Sequence, residues 1–267
     1  MEFANLLCER RDDVLVVTLN RPQKLNSLSL GLLKDLRSCA EAIQRERGLR
    51  AVLLTGAGRG FCAGADLTDP EGLPGPGQSM GQLMASRLRE YYHPAALLWC
   101  NLPVPLVVAL NGVAAGAGAS LALMGDITVA ARSASLTFVF APKLGLVPDM
   151  GATYFLVRRV GEARARAFAL TGQAIGAEQA ASIGLIAECV EDARLAERAN
   201  EIAQALAAGP REAFLGVRAL MASALSASLP GQLEAEAAAQ AKLGDGADFV
   251  EGVTAFREKR APRFGTR

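Results

Sequence analysis

Twice in this chain an apolar run of strand length stops on a turn built almost wholly of small residues. Ala51–Thr55 is one such run, halted at Gly56 and followed by the glycine-rich loop Gly56–Gly64. Pro105–Leu110 is the other, halted at Asn111-Gly112 and followed by the turn Asn111–Ser120. Unbroken apolar runs are the pattern of parallel strands covered on both faces. Small residues let a backbone approach a ligand closely. Free N–H groups at a helix start stabilise developing negative charge. Two such turns side by side place two donors on one oxygen. For either turn alone, tight packing between strands is the better explanation of the glycines.

The remaining pattern extends this arrangement. Val14–Leu19 predicts a strand and Ser29–Gln44 a helix with Leu32, Leu33, Leu36, Ala40 and Ile43 on one face. Met84–Trp99 predicts a helix, Ala117–Met124 another, and Ile127–Ala131 and Leu136–Phe140 strands. Helices follow at Ala152–Val160 and Ala163–Leu170, and alanine-rich helices from Ala177 to the C-terminus. Pro70–Gly81, dense in Pro and Gly, predicts a mobile surface loop. Strand–helix alternation followed by helix predicts an α/β fold of stacked βαβ units with a helical C-terminal part.

Composition excludes several classes. Lys and Arg total 28 against 27 Asp and Glu. That balance argues against a general nucleic-acid binder. The five cysteines form no CxxC pair, which argues against zinc sites and disulfide frameworks. The longest apolar stretch, Val104–Leu123, is broken by Pro105, Asn111 and glycines, so no membrane span is expected. A cytoplasmic protein fits these facts. Gly56-Ala-Gly-Arg-Gly60 fails the dinucleotide GxGxxG pattern, because Phe61 stands at its third glycine.

Taken together, "GAGRGFCAGADL" (Gly56–Leu67) and "NGVAAGAGASLALMGD" (Asn111–Asp126) resemble the signature segments of the crotonase, or enoyl-CoA hydratase/isomerase, superfamily. "VTLNRPQKLNSLS" (Val17–Ser29), "LGLVPDMGATYFL" (Leu144–Leu156) and "EGVTAFREKRAPRF" (Glu251–Phe264) are similar to its other segments. The resemblance implies a crotonase-like spiral, with a catalytic core over residues 1–200 and a helical oligomerisation region over 201–267. It implies a homotrimer or a dimer of trimers. It also implies an acyl-CoA thioester as substrate, with coenzyme A part of that substrate and no tightly bound cofactor or metal. By motif position, the N–H groups of Ala65 and Ala117 would form the oxyanion hole, next to Ala63 and Gly116. Asp66, Leu67 and Thr68 would meet the adenine end of coenzyme A, Lys24 and Leu25 the pantetheine entry. Phe256 and Lys259 would close over it.

The resemblance also bears on the reaction. Hydratases of the family use two glutamates, at positions that here hold Ser120 and Ala141. Neither is a carboxylate. Asp149 in "VPDMG" resembles the proton-shuttling aspartate of dienoyl-CoA isomerases and of the ring-epoxide isomerases of phenylacetate degradation. One base can take a proton from one carbon and return it to another. Capping the helix that starts near Gly151 is the alternative role for Asp149. His93, the only histidine, is a candidate for the acyl pocket. The expected activity is therefore an enoyl-CoA isomerase. Hydration of a 2-enoyl-CoA is the alternative. A silent coenzyme A thioester binder and an aromatic acyl-CoA dehalogenase are more distant ones.

Overall fold

The computed structural model describes residues 1–69, 74 and 76–265. The described chain winds through two stacked sheets. The larger has the order β1-β2-β3-β5-β7-β10, formed by Leu6–Arg11, Val14–Leu19, Ala51–Gly56, Leu106–Leu110, Ile127–Ala131 and Glu188–Val190. The β1/β2 pair is antiparallel and the other pairs are parallel. The smaller sheet has the order β4-β6-β8-β9, formed by Gly60–Cys62, Val113–Ala115, Ser135–Thr137 and Ile175–Gly176. After β3, β5 and β7 the chain steps straight into β4, β6 and β8 before its next helix. The repeating unit is thus two strands and a helix, a refinement of the βαβ expectation. This is an α/β spiral of such units.

The large sheet is buried because its strands are apolar on both faces. Every residue of β5 is buried, and β2 is interrupted only by the half-buried Thr18. Helix α1 (Leu30–Arg45) covers one side with buried Leu32, Leu33, Leu36, Cys39, Ala40 and Ile43. Its N-cap Ser29 accepts from the Leu32 N–H, and Trp99 Nε1 donates to the Leu36 carbonyl at 3.0 Å.

Several boundaries differ from expectation. Met84–Trp99 is three pieces: α2 (Met80–Arg87), a π turn (Leu88–Tyr92) and α3 (His93–Cys100). The cause is Pro94, which has no N–H for the carbonyl one turn back; the His93 N–H instead reaches the Leu88 carbonyl. The expected strand Leu136–Phe140 ends at Thr137, and Phe140–Leu144 is a second π turn. Helix α4 is Ala117–Ala122, and α5 (Ala152–Thr171) joins the two expected helices across a kink at Gly161, φ 75°. Strands β1, β4, β6, β9 and β10 were not expected; two or three residues carry too little period for β4, β6, β9 and β10. Of the expected loop at 70–81, residues 70–73 and 75 lie outside the described residues; Ser79 and Gln82 form a capping box on α2.

Beyond α6 (Ala177–Ser182), α7 (Leu195–Ala207) lays Leu195, Ala199, Ala203 and Ala207 on the large sheet. Helices α8 (Arg211–Ala224), α9 (Leu229–Gly244) and α10 (Ala247–Glu258) follow, with Ala255 the one residue fully buried among them. Arginines tie α8 to the core. Arg211 donates to the Pro103 carbonyl, and Arg218 to the carbonyls of Leu102 and Val104 and to Asp126. No helix among the described residues is long and apolar enough to cross a membrane.

Candidate active site

Parallel pairing of β4 with β6 brings the two glycine-rich turns together. The contact is close enough to need glycine. A Cβ at Gly118 would lie 2.1 Å from the Cys62 carbonyl oxygen, and one at Gly64 would lie 2.7 Å from the Ala115 oxygen. Asn111 stitches the turns: its Oδ1 accepts from the Gly56 N–H at 3.0 Å and its Nδ2 donates to the Gly58 carbonyl at 3.0 Å.

The first donor is oriented by strand-like pairing with the segment before α1. Leu28 N–H donates to the Gly64 carbonyl at 2.7 Å, and Asp66 N–H donates to the Leu28 carbonyl at 3.0 Å. In such a parallel bridge the middle residue turns its own N–H the other way. That residue is Ala65, whose N–H has no partner among the described residues. Ala63 N–H is held by the Leu25 carbonyl at 2.9 Å. The second donor, Ala117, is the first residue of α4, where backbone N–H groups have no intrahelical acceptor. Gly116 before it has φ 53° and ψ −128°, a conformation open to glycine and not to alanine. A Cβ at Gly64, the residue before Ala65, would lie 3.6 Å from the Ala117 nitrogen, which puts the two segments side by side.

Asp149 approaches from the loop before α5. Met150 and Gly151 have φ of 48° and 82°, and this left-handed pair separates Asp149 from the helix. Ala152 N–H donates to the Asp149 backbone carbonyl at 3.0 Å, and α5 has no side-chain cap. The capping role for the carboxylate is therefore overturned: main chain does that work. Asp149 Oδ1 is buried with no hydrogen-bond partner among the described residues. Burial pushes its pKa up to about 6. A buried carboxylate oxygen without a partner costs stability. Ser120, fully buried, donates from Oγ to the Asp149 carbonyl at 2.9 Å. It thereby couples the second turn to the acid.

A family model described as enoyl-CoA hydratase/isomerase matches residues 9–267. The chain belongs to the enoyl-CoA hydratase/isomerase family. It is 43% identical to the 1,2-epoxyphenylacetyl-CoA isomerase of Escherichia coli (strain K12), over 99% of this chain and 98% of that one. It is also 43% identical to a probable enoyl-CoA hydratase of Rhodobacter capsulatus, over 99% of each. Among solved structures, it is similar to a putative enoyl-CoA hydratase from Streptomyces coelicolor A3(2), with TM-score 0.90, 38% identity and coverage of 100% and 96%. An enoyl-CoA hydratase from Bacillus anthracis gives TM-score 0.90 at 32% identity, covering 98% of this chain and 100% of that one. The protein is thus an enzyme of a family acting on acyl-CoA thioesters.

On this enoyl-CoA hydratase/isomerase fold, the residues expected to meet coenzyme A divide into two groups. Lys24, Leu25, Asp66, Leu67 and Thr68 come together. Lys24 Nζ lies 3.4 Å from Thr68 Oγ1, and Leu67 is 75% exposed beside them. Asp66 is already engaged: burial opposes its ionisation, but bonds from Thr68 and Arg21 together bring its pKa down to about 2. Phe256, 85% exposed, and Lys259 are not joined to this cluster within one chain; the hydrogen bonds of α10 stay among residues near the C-terminus.

Asn26 and Tyr92 were missed in the sequence. Buried Asn26 donates to the Ala57 and Gly60 carbonyls at 2.9 and 2.8 Å, fixing the Lys24–Leu25 turn against the first glycine-rich loop. The asparagine of "RPQKLN" was the available signal. Tyr92 ends the π turn, half-buried, with no hydrogen-bond partner among the described residues. Burial first, then the nearby charge of Asp149, holds its hydroxyl above the ordinary range. His93 stands exposed at the start of α3. Ala141 is half-buried in the second π turn and supplies no carboxylate.

Proposed function

We propose that this chain is an enoyl-CoA isomerase in which Asp149 shuttles a proton. The Ala65 and Ala117 N–H groups hold the thioester carbonyl oxygen as negative charge develops on it. Removing one such donor typically costs about 2.7–4 kcal/mol of transition-state stabilisation. Asp149 takes a proton from the carbon next to the carbonyl and the electrons pass to that oxygen. The same carboxyl then protonates a more distant carbon, and the double bond moves. The observation that carries this reading is the buried Asp149 oxygen without a partner, in a site whose two hydratase glutamate positions hold Ser120 and Ala141. The E. coli relative named a 1,2-epoxyphenylacetyl-CoA isomerase supports a ring-epoxide substrate of phenylacetate degradation.

No tightly bound cofactor takes part; coenzyme A enters and leaves with the acyl group. The active form is a homotrimer or a dimer of trimers built on α8–α10, consistent with the apolar residues those helices expose. The deciding experiment is deuterium uptake from solvent into a 3-enoyl-CoA. Uptake abolished by Asp149→Asn supports the shuttle, and uptake unchanged removes it. A second reading, hydration of a 2-enoyl-CoA, is favoured by the relatives named hydratases. Rapid loss of the crotonyl-CoA enoyl absorbance would establish it over the isomerase.

A further inference from the structure

Away from the active site, the seam between β1 and α1 holds two thiols in contact. Asn5 donates from its backbone and side-chain nitrogens to Asp35 Oδ2 on α1, both at 2.9 Å. Arg10 reaches Glu46 and the Gly48 carbonyl past the far end of α1. Between these anchors, Cys8 Sγ and Cys39 Sγ lie 3.9 Å apart. Cys39 is fully buried and Cys8 half-buried, so one sulfur is reachable and the other is shielded behind it.

We propose that Cys8 and Cys39 are an oxidation site, at which hydrogen peroxide converts the two thiols into an intramolecular disulfide. Cys8, as thiolate, attacks one peroxide oxygen. The O–O bond breaks, a sulfenic acid forms on Cys8, and the departing oxygen takes up a proton and leaves as water. The Cys39 sulfur then attacks the Cys8 sulfur, the S–O bond breaks, and a second water leaves. Two thiols lose two hydrogens and two electrons, and the peroxide is reduced by the same two electrons.

To form the bond the sulfurs must close from 3.9 Å to about 2.05 Å. Chemistry separates Cys8 from the other thiols. Its hydrogen bond with Cys39 draws its pKa below the ordinary thiol value. Burial pushes Cys62 up to about 12 and Cys100 up to about 11, and burial also raises Cys189. Cys39 is raised, by its bond with Cys8 and then by burial, so it is not the thiol that meets peroxide first; its contact with Cys8 at 3.9 Å makes it the resolving thiol. The cross-link joins residues 31 positions apart and fastens α1 to the edge strand. It touches neither Ala65, Ala117 nor Asp149.

The test treats the full-length protein with a small excess of hydrogen peroxide, followed by alkylation and non-reducing digestion. The expected result is an intact mass lower by two hydrogens, loss of two free thiols, and one cross-linked peptide pair containing Cys8 and Cys39. The thermal midpoint should rise by roughly 5 °C or more, and dithiothreitol should reverse it. Cys8→Ser should abolish the rise. Cys39→Ala should leave a sulfenic acid on Cys8 that dimedone traps. Sulfinic or sulfonic acid on Cys8 of the unaltered protein, a different cysteine pair, a link between two chains, or no reaction overturns the proposal.

Discussion

Asp149 shows how much one residue's surroundings decide. Its folded pKa of about 6 lies above the ordinary 3.8. Such a group adds no penalty below pH ~4, where it is protonated in both states. Destabilisation grows as pH rises from ~4 through ~6, because only the folded chain must hold the charge in a poor place. Asp149→Asn should therefore raise stability at pH 8 by on the order of 2–3 kcal/mol and change little at pH 4. Urea denaturation at the two pH values checks this. In the unaltered protein, kcat/KM for isomerisation should climb with pH to a plateau above about 6 as the base ionises. Tyr92 belongs to the same scale. Tyr92→Phe removes a hydroxyl with no protein partner, so the thermal midpoint should stay within about 2 °C. If that hydroxyl meets substrate, kcat/KM should fall about tenfold; steady-state kinetics beside calorimetry separates the two.

At the level of elements, the site depends on how closely α4 lies against β4. Gly118 faces the Cys62 carbonyl where a methyl group would lie 2.1 Å from oxygen. Gly118→Ala should push the two turns apart, costing about 1–3 kcal/mol of stability. It should also lower kcat by about 100-fold or more, since one oxyanion donor is displaced. A crystal structure of the variant would show the β4–β6 pairing widened; an unmoved pairing with normal kcat would contradict the account. The glycine-rich turns were legible because strand length, small residues and spacing are local properties. The π turn was not. Pro94 was visible in the sequence, but whether a helix breaks or absorbs a proline depends on what packs against it. Here the extra residue is absorbed as a π turn between α2 and α3.

Across the whole molecule, burial is uneven. The two sheets, α1 and α7 enclose the core. Helices α8 and α9 contain no fully buried residue, and Val217, Met221, Leu225, Leu229 and Leu233 are all more than half exposed. A cavity of about 1260 Å³ lies among α8, α9 and α10, away from Asp149. Apolar surface on this scale suits a partner chain. Met221→Asp should lower the assembled mass measured by light scattering toward that of one chain while leaving the far-ultraviolet circular dichroism unchanged. An unchanged mass would remove this face from the interface.

Motif order along the chain carried the resemblance to the family and, through it, the expectation of the spiral fold, while apolar spacing marked the two glycine-rich turns. The sequence also marked the missing second carboxylate. Only the tertiary structure decided what those residues do beside one another. It put Ser120 on the Asp149 carbonyl, left Asp149 Oδ1 without a partner among the described residues, and set Cys8 against Cys39. Each of these contacts joins segments about thirty residues apart. Their geometry depends on sheet order and helix placement, which no local pattern specifies.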